Sequence, residues 1–122
     1  MRHSPIFIKV FETTLWLLDH TRKFPKDQRF VMAKRLEEAM LELNDKILHA
    51  SKVKKSDKAL FEADHQLERL RLYGRYCEKM KLLSFKQYEY LSGELEEIGK
   101  QLGGWIKSSV QDGRGRPDDE RR

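Results

Sequence analysis

The sequence predicts an all-α protein, an antiparallel up-down-up-down four-helix bundle, on three observations. Apolar residues recur at steps of three and four along four successive segments. Charged residues make up 37% and prolines number only three, a balance that favours helix over a β-sandwich. Short polar connections, marked by proline or a capping serine, separate the segments and force neighbours to run antiparallel.

Ser4-Pro5 announces the first helix, with a capping serine and proline at the first helical position. The helix is expected to run to about Lys23. Phe7, Val10, Leu17 and Phe24 form a stripe, but Ile8, Phe11, Leu15, Trp16 and Leu18 widen it beyond one face. A helix this apolar needs cover on more than one side. Pro25 is expected to end it and open the second helix, which runs to about Ser51. Met32, Leu36, Ala39, Leu43, Ile47 and Ala50 form its core face, with Lys34, Arg35, Glu37, Glu38 and Glu42 on its wet side. Lys52 to Lys55 breaks the pattern.

Ser56-Asp57 starts the third helix, where Leu60, Ala63, Leu67, Leu70, Gly74 and Cys77 alternate steps of three and four. A second apolar line, Phe61, Leu72, Tyr76 and Met80, lies beside them. Ser84-Phe-Lys-Gln87 has the form of a capping box and opens the fourth helix. Its stripe is Tyr88, Leu91, Leu95, Ile98, Leu102 and Trp105. Gly99 and Gly103 sit one turn apart within it, each costing about 1 kcal/mol of helix propensity relative to alanine. With Ser92 they make a smooth strip, which points to close approach inside the bundle or between subunits. One bundle domain over residues 1–110 is therefore expected, followed by a disordered polar tail at 111–122, where Gly-Arg-Gly-Arg-Pro breaks helix.

At 122 residues the chain has room for one core. Its longest greasy stretch, Ile6 to Leu18, is interrupted by Lys9 and Glu12, too short and too charged to span a membrane or serve as a signal-peptide core. A single cysteine, Cys77, precludes an internal disulfide and fits a reducing, cytoplasmic setting. The tail is neutral, so the formal charge of +5 rests on the bundle.

The residues do not suggest an enzyme. Glu62-Ala-Asp-His65 has the Glu-x-x-His form of a di-iron bundle, but no second such motif accompanies it. There is no nucleophile elbow or phosphate-cradling glycine loop, and Cys77 falls on a core stripe. No metal or cofactor is expected. Basic clusters say more. The second connection carries Lys52, Lys54, Lys55 and Lys58 against Asp57. Arg69, Arg71, Arg75, Lys79 and Lys81 crowd the third helix near Glu78. Arg71, Arg75 and Lys79, spaced by four, line one side and suit a phosphate backbone, with Tyr73 and Tyr76 nearby for stacking. The ordinary alternative pairs Arg71 and Arg75 with Glu68 as a solvated face, and the residues alone leave both open.

Leu60-Phe-Glu-Ala-Asp64, then Leu67-x-x-Leu70-Arg71-x-x-x-Arg75, then Leu102-Gly103-Gly-Trp105-Ile106 resemble the accessory variability determinant proteins of diversity-generating retroelements. These form part of a wider group of bacterial four-helix-bundle proteins that includes those encoded in ribosomal RNA intervening sequences. The resemblance covers about residues 5 to 108. It implies a homopentameric barrel that binds a reverse transcriptase and template RNA or RNA–DNA hybrid, supports mutagenic reverse transcription, and has no catalytic activity of its own. It places Arg71 and Arg75 where retroelement members carry arginines, whereas Lys79, Arg69 and the connection lysines rest on charge alone. The alternative is an oligomeric bundle of the intervening-sequence type with a structural or RNA-associated role. The surplus apolar lines independently favour an oligomer, and Gly99, Gly103, Trp105 and Trp16 are the residues expected to serve helix packing or assembly.

Overall fold

A computed structural model describes residues 4–115, and side chains through 111. Four helices follow in order: α1 (Pro5–Thr21), α2 (Met32–Lys52), α3 (Asp57–Lys79) and α4 (Phe85–Gly115), with a 3₁₀ turn at Lys26–Gln28. The described residues form no strand. α1 packs on α2 and α4, and α3 packs on the same two neighbours, giving an antiparallel bundle.

The stripes of α2 and α3 are buried throughout, with Met40, Ala33 and Ala59 added to them. Leu91, Leu95, Ile98 and Leu102 of α4 join the same core, while Tyr88 and Trp105 at its ends are half-buried. The α1 stripe is only partly as expected. Val10, Leu17 and Phe24 are buried but Phe7 is not, and Ile6, Thr13 and Thr21 complete the buried face. Both threonines donate to carboxylates on neighbouring helices, Thr13 to Glu94 at 3.4 Å and Thr21 to Glu37 at 2.6 Å. A hydroxyl satisfied in this way tolerates burial, so hydrophobic spacing alone could not find it.

Three boundary expectations need correction. Pro25 opens not α2 but an extended residue and the 3₁₀ turn, and α2 begins at Met32. Residues 26–29 are Lys-Asp-Gln-Arg, so a helix there would have no apolar side chain to bury. Ser4 and Ser56 occupy the N-cap positions of α1 and α3, yet neither hydroxyl makes a cap hydrogen bond. Ser56 instead bonds the Ser109 hydroxyl at 3.0 Å, tying the start of α3 to the far end of α4. Finally, α4 continues to Gly115, into the segment assigned to the tail. The remainder of that tail, residues 116–122, lies outside the described residues.

The capping box at α4 forms as expected. The Ser84 amide donates to Gln87 Oε1 at 2.9 Å, and the Gln87 amide donates to Ser84 Oγ at 3.1 Å. The α3 terminus just before it was not anticipated. The Leu82 amide donates to the Cys77 carbonyl at 2.8 Å and the Lys81 amide to that of Glu78 at 3.0 Å, a Schellman motif. This motif needs a left-handed residue, and Lys81 supplies it at φ 64° where glycine is usual. A left-handed side-chain-bearing residue costs about 1–2 kcal/mol, partly offset in the unfolded chain, where glycine is freer. Lys81→Gly should therefore raise stability by about 1 kcal/mol. A urea titration would read this as a higher midpoint at unchanged slope.

Candidate nucleic-acid interface

Burial of the α3 stripe decides where the basic residues of that helix point. Side chains one turn apart lie close on a helix surface; Arg71 and Arg75 fall on the flank toward α4, and Lys79, one turn further, is exposed nearer the outside of α3. A groove at this seam is lined by Arg71 and Arg75 from α3 and by Tyr88 and Ser92 from α4. Arg71 bonds Glu68, three residues earlier, through Nη1. Arg75 is exposed, and no carboxylate lies within 4.0 Å of it among the described residues. Lys79 approaches only Glu78, at 3.9 Å. Of the two readings left open for this stripe, the salt-bridged face thus holds for Arg71, while Arg75 remains an uncompensated surface cation.

Arg69 does not belong to that line. It lies on the opposite flank, where its guanidinium and that of Arg35 from α2 stand 5.9 and 6.0 Å from the Tyr73 ring centre. It also donates to Gln66 at 2.8 Å. Arg35 was read as part of a wet face; its alternation with the α2 core stripe carries no hint of this contact. Between the two flanks, Phe61, Leu72 and Tyr76 are exposed on the outside of α3. Tyr73 touches Tyr76 with ring centres 6.3 Å apart, leaving Tyr76 as the more available stacking surface of the pair.

The connection lysines form a separate cluster. Lys52, Lys54, Lys55 and Lys58 are all exposed at the α2–α3 end. Lys58 and Arg75 are seventeen positions apart on α3, about 25 Å along the axis. Lys58 also borders a groove containing Glu42 and Glu62, and Glu62 pairs with Lys46 at 3.4 Å. The bundle therefore does not unite the two basic groups into one site.

The four packing residues also divide. An ideal Cβ on Gly99 would stand 2.6 Å from Arg71 Nη2 and 3.3 Å from Leu67 Cδ2, so Gly99 permits a close approach by α3 side chains. Nothing lies within 4 Å of a Cβ on Gly103, which rules out close approach inside the bundle at that position. Trp16 stacks on His20 at 3.9 Å and meets Tyr90 at 4.9 Å. Trp105 meets Phe7 at 6.4 Å. Both tryptophans thus pack along the α1–α4 seam.

Glu94 organises the middle of that seam, accepting from Thr13 and pairing with Lys9 at 3.2 Å. Its carboxylate holds the Lys9 ammonium above the usual lysine range. His65, by contrast, is exposed, and the described residues gather no group of three or more His, Cys, Asp or Glu able to hold a metal. Cys77 is buried, and burial pushes its thiol up to about 11 from 9.0. The neutral thiol makes a poor nucleophile. The folded state keeps this proton when the unfolded state has lost it, so the contribution to stability is intact below pH 9 and is lost as pH climbs through about 11. At pH 8 the folded protein should resist iodoacetamide for hours and become labelled promptly in denaturant, as intact mass will read.

No helix among the described residues is long and apolar enough to cross a membrane. No curated protein matches the chain. Among solved structures it is similar to a crystal structure from Bacteroides thetaiotaomicron, a protein of unknown function from the S23 ribosomal protein family. That likeness has a TM-score of 0.77 at 18% identity and covers 84% of this chain and 98% of the other, so it speaks for the fold alone. A family model described as bAvd-like matches residues 8–109, from the first turn of α1 to beyond Trp105 in α4. The spaced arginines and the Gly-Gly-Trp-Ile segment both fall inside that match, and the chain belongs to the bAvd-like family, the accessory variability determinant proteins.

Proposed function

We propose that this chain is a non-enzymatic accessory protein of a diversity-generating retroelement. It binds the element's reverse transcriptase together with template RNA or RNA–DNA hybrid, and so supports mutagenic reverse transcription in the cytoplasm. The family match over residues 8–109 carries this reading. The accessory family is not a known enzyme family. Support from the residues comes from α3, where Arg71, Arg75 and Lys79 provide successive cationic contacts one turn apart. The connection lysines Lys52, Lys54, Lys55 and Lys58 supply a second, distant contact for polymerase or RNA, and Arg69 a third on the opposite flank.

The chain acts as a homo-oligomer, a pentamer by its family. Ile8, Phe11 and Leu15 on α1 are exposed, Phe11 to 63%, and so are Leu41 and Leu48 on α2. Leu48 borders the α1–α2 groove with Phe7, and Leu41 lies two turns away on the same face. These are exposed apolar side chains on the outer sides of two neighbouring helices, and apolar surface left in solvent in this way suits contact with a partner. Gly103, with open space above it, fits a contact between copies rather than within one. A second reading keeps the bundle and oligomer but assigns the intervening-sequence type of role, with which the shared fold of the S23-family structure is equally compatible. A neighbouring reverse transcriptase gene would separate the two.

Two measurements test the main reading. Arg71→Ala with Arg75→Ala should leave the helical spectrum intact and weaken RNA binding. The slope of log K against log salt should flatten by about 1.4, since each single-strand phosphate contact contributes about 0.7. Unchanged binding and unchanged reverse transcriptase pull-down would remove both arginines from the interface. Separately, Phe11→Glu with Leu15→Glu should convert the oligomer to folded monomer, as light scattering will read; an intact oligomer would place the contact elsewhere.

A further inference from the structure

We propose that the groove between α3 and α4 is a phosphate pocket that seats one nucleoside phosphate of an RNA strand. Arg71, Arg75 and the Ser92 hydroxyl serve as its donors. This rests on the nucleic-acid reading of the α3 flank and assigns that flank a discrete subsite.

The groove encloses about 270 Å³. That is just under the ~300 Å³ at which ligand sites usually begin, enough for a phosphate with its sugar. Leu70, Leu91 and Leu95 form an apolar floor, and Tyr88 forms an aromatic wall. Arg71 and Arg75 from α3 and Ser92 from α4 line the rest of the groove. A carboxylate would satisfy those donors but leave the floor uncovered. A ribose phosphate covers both.

Two glycines build the pocket. A Cβ on Gly74 would already touch Leu91 Cδ2 at 3.5 Å and the Tyr88 ring at 3.9 Å, so any longer side chain there would fill the cavity. Gly99 acts on the donor. Because it has no Cβ, the Arg71 guanidinium lies against the α4 backbone, while Glu68 holds its other side. Arg71 is thereby fixed before any ligand arrives, which lowers the ordering cost of binding.

Charge supplies the remaining argument. Arg71 and Arg75 are four residues apart on one helix face, an arrangement that is mildly repulsive by itself. Glu68 is bonded to Arg71, and no carboxylate lies within 4.0 Å of Arg75 among the described residues, so Arg75 brings an uncompensated positive charge to the groove. A phosphodiester carries one negative charge and accepts several hydrogen bonds, which suits paired guanidinium groups. Lys79, one turn further along α3, meets the next phosphate of a strand leaving the pocket.

The test uses the full-length protein, uridine 5′-monophosphate, inorganic phosphate, uridine and a labelled single-stranded U12 RNA. One mononucleotide should bind per chain in calorimetry, inorganic phosphate more weakly, and uridine undetectably. Ser92→Phe places a ring over the mouth at an exposed helix position without altering charge. Gly99→Ala dislodges Arg71 without removing it. Each variant should weaken mononucleotide binding at least tenfold and flatten the U12 salt slope by about 0.7, one phosphate contact. Unchanged thermal melting shows that the fold is kept, and either variant alone suffices if the other fails to fold. Normal binding by these variants, with weakened binding by the Arg71/Arg75 double variant, would overturn the pocket and leave the flank reading standing. Normal binding by all three would overturn both. Inorganic phosphate binding as tightly as the mononucleotide, or oligoglutamate displacing it more effectively, would equally refute the assigned ligand.

Discussion

Burial of Leu60, Ala63, Leu67, Leu70, Gly74 and Cys77 against α2 and α4 is the constraint from which the rest of the surface follows. A helix has one rotational setting, so hiding these six assigns every other α3 residue to a flank or to the outside. Each fully buried leucine contributes about 1.5–3 kcal/mol. Like charges four residues apart on a helix cost only about 0.2–0.5 kcal/mol. The leucines decide the rotation, and the crowded arginines accept it. Arg71 and Arg75 consequently face α4, while Arg69 is turned toward α2 and Tyr73.

This dominance of burial explains which features were legible in the sequence. The α2 and α3 stripes are entirely apolar or small, and simple spacing identified them. Ser84 and Gln87 were equally readable because the capping box is a local device whose two bonds lie within four residues. The α1 face was harder to read. Thr13 and Thr21 are buried because Glu94 and Glu37 arrive from other helices, and no local pattern announces a partner distant in sequence. The α1–α2 connection was misread for a related reason. Pro25 is compatible with helix initiation, but nothing apolar follows it until residue 30.

The candidate site shows the same division. Spacing found Arg71, Arg75 and Lys79, because their periodicity lies within one helix. It also grouped Arg69 and the connection lysines with them, because linear proximity resembles a cluster when rotation and axial distance are ignored. Ser92 was recognised only as a small residue, and Tyr88 and Gly74 only as core positions. Their role as walls of the α3–α4 groove depends on the register between two helices. The paired glycines illustrate the point most sharply. Gly99 and Gly103 look equivalent in sequence, yet one lies beneath Arg71 and the other beneath open space. The propensity lost at Gly99, about 1 kcal/mol, is set against placement of a guanidinium. At Gly103 no contact within the described chain offsets the same loss.

In the proposed assembly, apolar and cationic surfaces act on copies of the chain in opposite senses. Association through Ile8, Phe11, Leu15, Leu41 and Leu48 removes apolar area from water, an effect that salt does not screen away. It also brings together copies each carrying a formal charge of +5, whose repulsion is screened beyond a Debye length of about 8 Å at physiological ionic strength. Salt therefore favours assembly but weakens each phosphate contact. A bound polyanion neutralises several copies at once and relieves the repulsion that opposes assembly. Because a ligand preferring the assembled state must stabilise it, the proposed RNA binding and subunit association would be thermodynamically coupled even where no residue takes part in both.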